Sequence, residues 1–138
     1  MNRFIVFISL LFISASSFAQ PLHVTDPWIK NLPPVIPMRA GYMQLMNHDV
    51  NTATIVSISS DAFKKVEIHK TINTDGVMSM HPVHNLVLEA NGMATLEPGG
   101  MHLMFMKPTR ELNIGDQVEI ILQFDNDSSQ AIVMTVRK

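Results

Sequence analysis

Gln117-Val118-Glu119-Ile120-Ile121-Leu122-Gln123-Phe124 decides the fold class. Successive side chains along a strand point to opposite faces, so Val118, Ile120, Leu122 and Phe124 share one side, with Glu119 and Gln123 on the other. Residues 131–137 repeat the pattern, setting Ile132, Met134 and Val136 against Val133, Thr135 and Arg137. Residues 54–59 set Val56 and Ile58 against Ser57 and Ser59. β-Branched residues are frequent in these runs, as suits a pleated, half-buried surface. Turn signals separate them: Asn47-His48-Asp49, Asn73-Thr74-Asp75-Gly76, Asn91-Gly92, Glu97-Pro98-Gly99-Gly100, Asn113-Ile114-Gly115-Asp116 and Asp125-Asn126-Asp127. Their spacing fits an all-β sandwich or barrel. Strands are predicted at 22–25, 28–31, 40–47, 52–59, 66–70, 77–81, 94–96, 102–107, 117–124 and 131–137. No helical periodicity is sustained, and one helical turn near 61–64 is all the pattern admits.

The first 19 residues read differently. Arg3 is followed by an apolar run, Phe4 to Ile13, interrupted only by Ser9, and then by small residues ending Ser17-Phe18-Ala19. That order predicts a cleaved secretory signal peptide over 1–19 and a single domain over 20–138. The apolar run is shorter than the ~20 residues that cross a bilayer, so no stable membrane anchor is expected. Cleavage would leave 119 of 138 residues and, with Arg3 gone, move the formal charge from −2 to −3. A mildly acidic product without a basic block has no electrostatic footprint for nucleic acid. The expected product is a soluble protein outside the cytoplasm, either periplasmic or fully secreted. The sequence contains no cysteine, which excludes a disulfide scaffold and gives a lipid no cysteine to join.

Histidine and methionine carry the chemistry. The chain has 11 Met and 6 His, against one Trp and one Tyr. Met43, Met46 and Met134 lie in strand-like runs and read as core filling. His102-Leu103-Met104 is different: one intervening residue puts an imidazole and a thioether on the same side of a strand, while Leu103 and Phe105 turn inward. Such a pair is half of a soft-metal site. Upstream, Val66 and Ile68 should face the core, which turns His69 outward with Glu67. Met80 follows the Asp75-Gly76 turn. Cu(I) accepts thioether sulfur and imidazole nitrogen, whereas zinc prefers Cys, His and carboxylate, and blue copper needs a thiolate. His81 and His84 offer an auxiliary Cu(II) site or are merely exposed.

His69, Met80, His102 and Met104 are spaced H-x10-M-x21-H-x-M. This resembles the signature of the periplasmic copper chaperone family called PCuAC. Similar segments run along nearly all of residues 20–138: Trp28-Ile29 before a Pro-rich loop, Ala40-Gly41-Tyr42-Met43, Val66-Glu67-Ile68-His69, Val77-Met78-Ser79-Met80, Leu96 to Met104, and Gly115-Asp116-Gln117-Val118. The resemblance implies a cupredoxin-like Greek-key β-sandwich or barrel. It implies Cu(I) held by His69, Met80, His102 and Met104, and delivery toward the dinuclear copper centre of cytochrome oxidase, often beside a thiol-bearing copper-handling protein. There are departures. Lys70-Thr71 follows His69 where relatives often carry an acidic residue or Met, which puts a positive charge near a cation site. His81 and His84 stand where relatives often have Arg or other residues.

Three rivals remain open in the sequence. A metallohydrolase would need His and carboxylate ligands with an open position, and Glu67 and Glu89 are available, but HExxH and GxSxG are absent. A metal-free β-sandwich interaction module would use methionine only as filler. Copper storage or detoxification would use the same ligands as delivery. The expectation is a metal carrier without enzymatic activity.

Overall fold

The computed structural model describes residues 21–138, and the expected signal peptide and its cleavage point after Ala19 lie outside them. The strands are β1 (His23–Lys30), β2 (Met38–Met46), β3 (Ala53–Ser60), β4 (Phe63–Thr74), β5 (Val77–Val83), β6 (Leu86–Leu88), β7 (Met93–Leu96), β8 (Met101–Pro108), β9 (Gln117–Phe124) and β10 (Ser129–Arg137). There is no helix among the described residues, and Asp61 and Ala62 form only a turn.

Pairing runs β4-β8-β2-β1-β10-β9-β3, and a further β3–β4 pairing closes this path into a barrel. Closure removes the edges that an open sheet would leave unpaired. β1 and β10 are parallel, with Trp28 opposite Thr135 and Ile29 opposite Val136. β5, β6 and β7 are outriggers on β4, β3 and β2. The all-β barrel expected from the alternation is the fold observed, in keeping with the cupredoxin-like architecture that the PCuAC resemblance implies.

Alternation fixes the core. Val118, Ile120, Leu122 and Phe124 of β9 are buried, as are Ile132, Met134 and Val136 of the neighbouring β10. Leu103 and Phe105 of β8 are fully buried, and the Phe105 ring lies 4.8 Å from that of Phe63. Each such side chain contributes roughly 1.5–3 kcal/mol when withdrawn from water. Gly41 of β2 lies opposite Leu103, and a Cβ there would overlap Phe105, so the absent side chain lets β2 pass over the ring.

Several expectations are corrected. Residues 22–25 and 28–31 are one strand, broken in register between Thr25 and Trp28, where Asp26 has φ 50° and Pro27 has no N–H to donate. A register shift in β3 buries Ile55 and leaves Val56 38 % exposed, so Val56 does not share a core face with Ile58. Met43 is buried, but Met46 is three residues further and turns to the outer face.

β4 links the barrel to the strand that projects from it. Its twelve residues give one edge to β8 from Phe63 to Lys70. The other edge meets β3 at Phe63 and Val66 and then β5 from Ile68 to Thr74. The second half of β4 thus leaves the barrel and carries β5 with it.

Candidate metal centre

His69 is the hub of the site. On one side it stands directly opposite His102 of β8, and on the other opposite Pro82 of β5. Directly paired residues project to the same face of a sheet. Glu67 is opposite Met104, and Thr71 is opposite Met80. Met104 and Met80 are therefore both diagonal neighbours of His69, a relation of about 7–8 Å that long side chains span. The structure brings all four sequence-predicted ligands, His69, Met80, His102 and Met104, onto one outer face of β5-β4-β8.

The two imidazoles are held in complementary ways. Their ring centroids are 6.1 Å apart, with planes inclined at 39°. Metal–imidazole bonds of about 2 Å place two rings on one ion with centroids roughly 5–6.5 Å apart, so this spacing suits a shared ion. His102 Nδ1 donates to the Gly100 carbonyl at 3.1 Å, leaving Nε2 with the lone pair. The Gly100 carbonyl also accepts the Thr71 N–H at 3.2 Å, tying the β7–β8 turn to β4. Gly99, with φ 82°, supplies the left-handed step of that turn. His69 does the reverse: Nε2 donates to Glu67 Oε2 at 2.9 Å, while Nδ1 is buried without a hydrogen-bond partner. A buried polar atom without a partner carries a free-energy cost, and an ion bound there removes that cost.

Glu67 orients His69 and is itself oriented. Its other oxygen pairs with Lys65 Nζ at 2.7 Å. Hydrogen bonds from Lys65 and then His69 hold the Glu67 carboxyl below the usual carboxylate range. Alternation sets Glu67 beside His69, but the ligand spacing gives it no part in the metal site. The signal for its orienting role is the i, i+2 spacing, which puts both residues on one face of β4.

Burial separates the four ligands. His102 is 5 % exposed and the His69 side chain 14 %, whereas Met80 is 56 % exposed. Met104 is half-buried. The centre is therefore shallow only at its thioethers. Lys70 pairs with His81 and Met101 and so alternates to the face opposite His69, which removes the anticipated charge from the ligand face. His81 shares that opposite face, hydrogen-bonded to Ser79 Oγ at 3.1 Å. His84 lies beyond β5 and lines a surface hollow with Lys65 and Glu67. Among the described residues, no group of three or more His, Cys, Asp or Glu side chains is placed to hold a metal ion. The donor set that the fold does assemble is mixed nitrogen and sulfur, which is the preference of a soft ion.

A barrel carrying imidazoles and thioethers on one outer face is the architecture of a soft-metal-binding domain. Solved structures agree on the fold. The copper-bound PCuAC domain from PmoF2 has a TM-score of 0.71 at 18 % identity, covering 87 % of this chain and 95 % of that one. The solution structure of CuI-DR1885 from Deinococcus radiodurans has a TM-score of 0.64 at 26 % identity, covering 90 % of this chain and 83 % of that one. The PCuAC resemblance read from the spacing therefore stands. By sequence, the chain belongs to the LpqE-like family, described as "Putative lipoprotein LpqE-like", which matches residues 22–136. Uncharacterized protein RP573 of Rickettsia prowazekii (strain Madrid E) is 34 % identical over 116 residues, 81 % of this chain. The match spans 64 % of that relative's own length. No helix of the described residues is long and apolar enough to cross a membrane.

Proposed function

We propose that this protein is an exported Cu(I) metallochaperone that binds one ion through His69, Met80, His102 and Met104 and hands it to a partner. One observation carries the reading: His69 and His102 face each other across paired strands, each with one ring nitrogen tied by a hydrogen bond and the other left for a metal. That CuI-DR1885 and the PmoF2 PCuAC domain hold copper supports extending copper to this chain.

The burial gradient suits transfer. The two imidazoles are covered and pre-oriented, so they define the resting site. Met80 and Met104 lie nearer solvent, where an acceptor's thiolate or imidazole can displace them one at a time. Thioethers carry no proton, so loading and release through them need no proton transfer. Exposed Met80 and Met78, with half-buried Met106, give an adaptable apolar rim for docking. No substrate bond is made or broken, so the role is carriage and not catalysis. The proposed acceptor is the dinuclear copper centre of cytochrome oxidase, reached directly or through a thiol-bearing copper-handling protein. Export by a signal peptide cleaved after Ala19 would place the domain in the periplasm.

Anaerobic Cu(I) titration with X-ray absorption tests the site. A mixed nitrogen and sulfur shell is expected, with affinity collapsing in His102→Ala and dropping in Met104→Leu. Unchanged Cu(I) binding in the double variant, or an all-nitrogen shell, overturns the assignment. Copper transfer to an apo-oxidase copper domain separates delivery from storage.

A further inference from the structure

A second group of histidines and methionines lies further along β2. His23 of β1 is directly opposite Met46 of β2, and Met46 is directly opposite Met93 of β7. The three side chains therefore share one face of three adjacent strands. His48, just past the end of β2, brings its ring to a centroid separation of 5.8 Å from His23, inclined at 59°. That separation, like the one between His69 and His102, lies in the range of roughly 5–6.5 Å that two imidazoles on one ion require.

The group is built, not incidental. Asn47 is 1 % exposed, and its Nδ2 donates to the carbonyls of Asn51 at 2.8 Å and of Leu88 and Glu89 at 3.1 Å each. Its Oδ1 accepts the Asp49 N–H at 3.0 Å, and its own N–H donates to the Gly92 carbonyl at 2.8 Å. This network staples the loop after β2 to the turn before β7. It fixes the backbone on either side of His48 and immediately before Met93. Packing gives no reason for two thioethers here: Met93 is 57 % exposed and Met46 is on the outer face, while the buried position on β2 is taken by Met43.

We infer that His23, Met46, His48 and Met93 form a second site for a soft monovalent ion, Cu(I) or Ag(I), separate from the His69–His102 centre. Two imidazoles and two thioethers without a thiolate or carboxylate select soft d10 ions over zinc or calcium. Both sites lie on the outer face of the barrel: Ala40 of β2 adjoins Met104 and Gly41 adjoins Leu103, so His102 falls level with residue 42, and Met46 is four to six residues further along β2. At about 3.3 Å per residue that is roughly 13–20 Å, too far for shared ligands. This inference does not depend on the transfer role proposed for the first centre.

Silver titration of the full-length chain, with NMR of the methionine methyls, tests it. Ag(I) is the probe because it matches the ligand preference without redox chemistry. The expected result is uptake of two equivalents, with Met46 and Met93 methyls shifting independently of Met104 and Met80. In His23→Ala/His48→Ala, both exposed positions, one equivalent should be lost and the Met46 and Met93 shifts with it, leaving Met104 unchanged. Met46 and Met93 unmoved through two equivalents, or shifts undiminished in the double variant, would overturn the inference. Loss of the Met104 and Met80 response alone would count against the first centre and leave the second standing.

Discussion

Glu67→Ala is the sharpest probe of the metal centre, because Glu67 touches no ion in the proposed site and acts only by fixing His69. Its Oε2 accepts the His69 Nε2–H at 2.9 Å, which selects the tautomer with Nδ1 unprotonated and turns that nitrogen into the site. Without the carboxylate, the neutral ring is free to protonate Nδ1, flip, or hydrate. Removing such an outer partner of a metal-bound histidine typically costs 10–100-fold in affinity. The expected loss is therefore about 1.4–2.7 kcal/mol of Cu(I) binding. Lys65→Met sets the scale from the other side. Lys65 is 61 % exposed at its side chain and pairs with the oxygen that His69 does not use. An exposed pair is worth about 0–1 kcal/mol, so this variant should lose no more than about fivefold. Anaerobic competition against a chromophoric Cu(I) chelator measures both, with urea unfolding run in parallel to show that the barrel is intact. If Glu67→Ala binds within about twofold of wild type while His69→Ala fails to bind, the orienting role is refuted.

Gly41→Ala should lower stability by about 1–3 kcal/mol, because its Cβ overlaps the Phe105 ring and sits 3.2 Å from Met134 Cε, and both neighbours are fully buried. Thermal unfolding reads this directly, and a wild-type Tm would show that β2 can shift to make room. Asn47→Ala strips donors from the Leu88 and Glu89 carbonyls and should cost about 1–3 kcal/mol, with faster exchange of the Asp49 amide as the local signature. The single tyrosine gives a pH test: burial raises the Tyr42 phenol above its ordinary value. The folded state then holds the proton longer than the unfolded chain. Stability should be undiminished below about pH 10 and should fall as pH rises through the folded value. Absorbance at the tyrosinate band, recorded for folded and urea-unfolded protein, should show the later titration in the folded form, and coincident curves would contradict it.

Period-2 patterning made most of the barrel legible. It located β9 and β10, the inward Leu103 and Phe105, and the outward His69, because each depends on the strict alternation of side chains along one strand. It failed where alternation breaks. The Asp26–Pro27 irregularity joins two runs into β1, and the β3 shift exchanges Val56 for Ile55. Leu86–Leu88 is too short to show a period at all. Met43 and Met46 both read as core because each is apolar and lies in a strand, although three residues apart they cannot share a face.

For the metal centre, alternation put His102 and Met104 on one side of a strand, and the likeness to the PCuAC signature added His69 and Met80 as their partners. Whether they meet is a matter of register between strands far apart in the chain. Only the folded barrel sets His69 against His102, gives one ring to Glu67 and the other to the Gly100 carbonyl, and buries both imidazoles beneath more exposed thioethers. The same holds for His23, Met46, His48 and Met93, which share no motif in the sequence. Local sequence determines which face a side chain takes, because that depends on adjacent dihedrals. Long-range pairing determines its neighbours, and the energy of that choice is spread over the whole core.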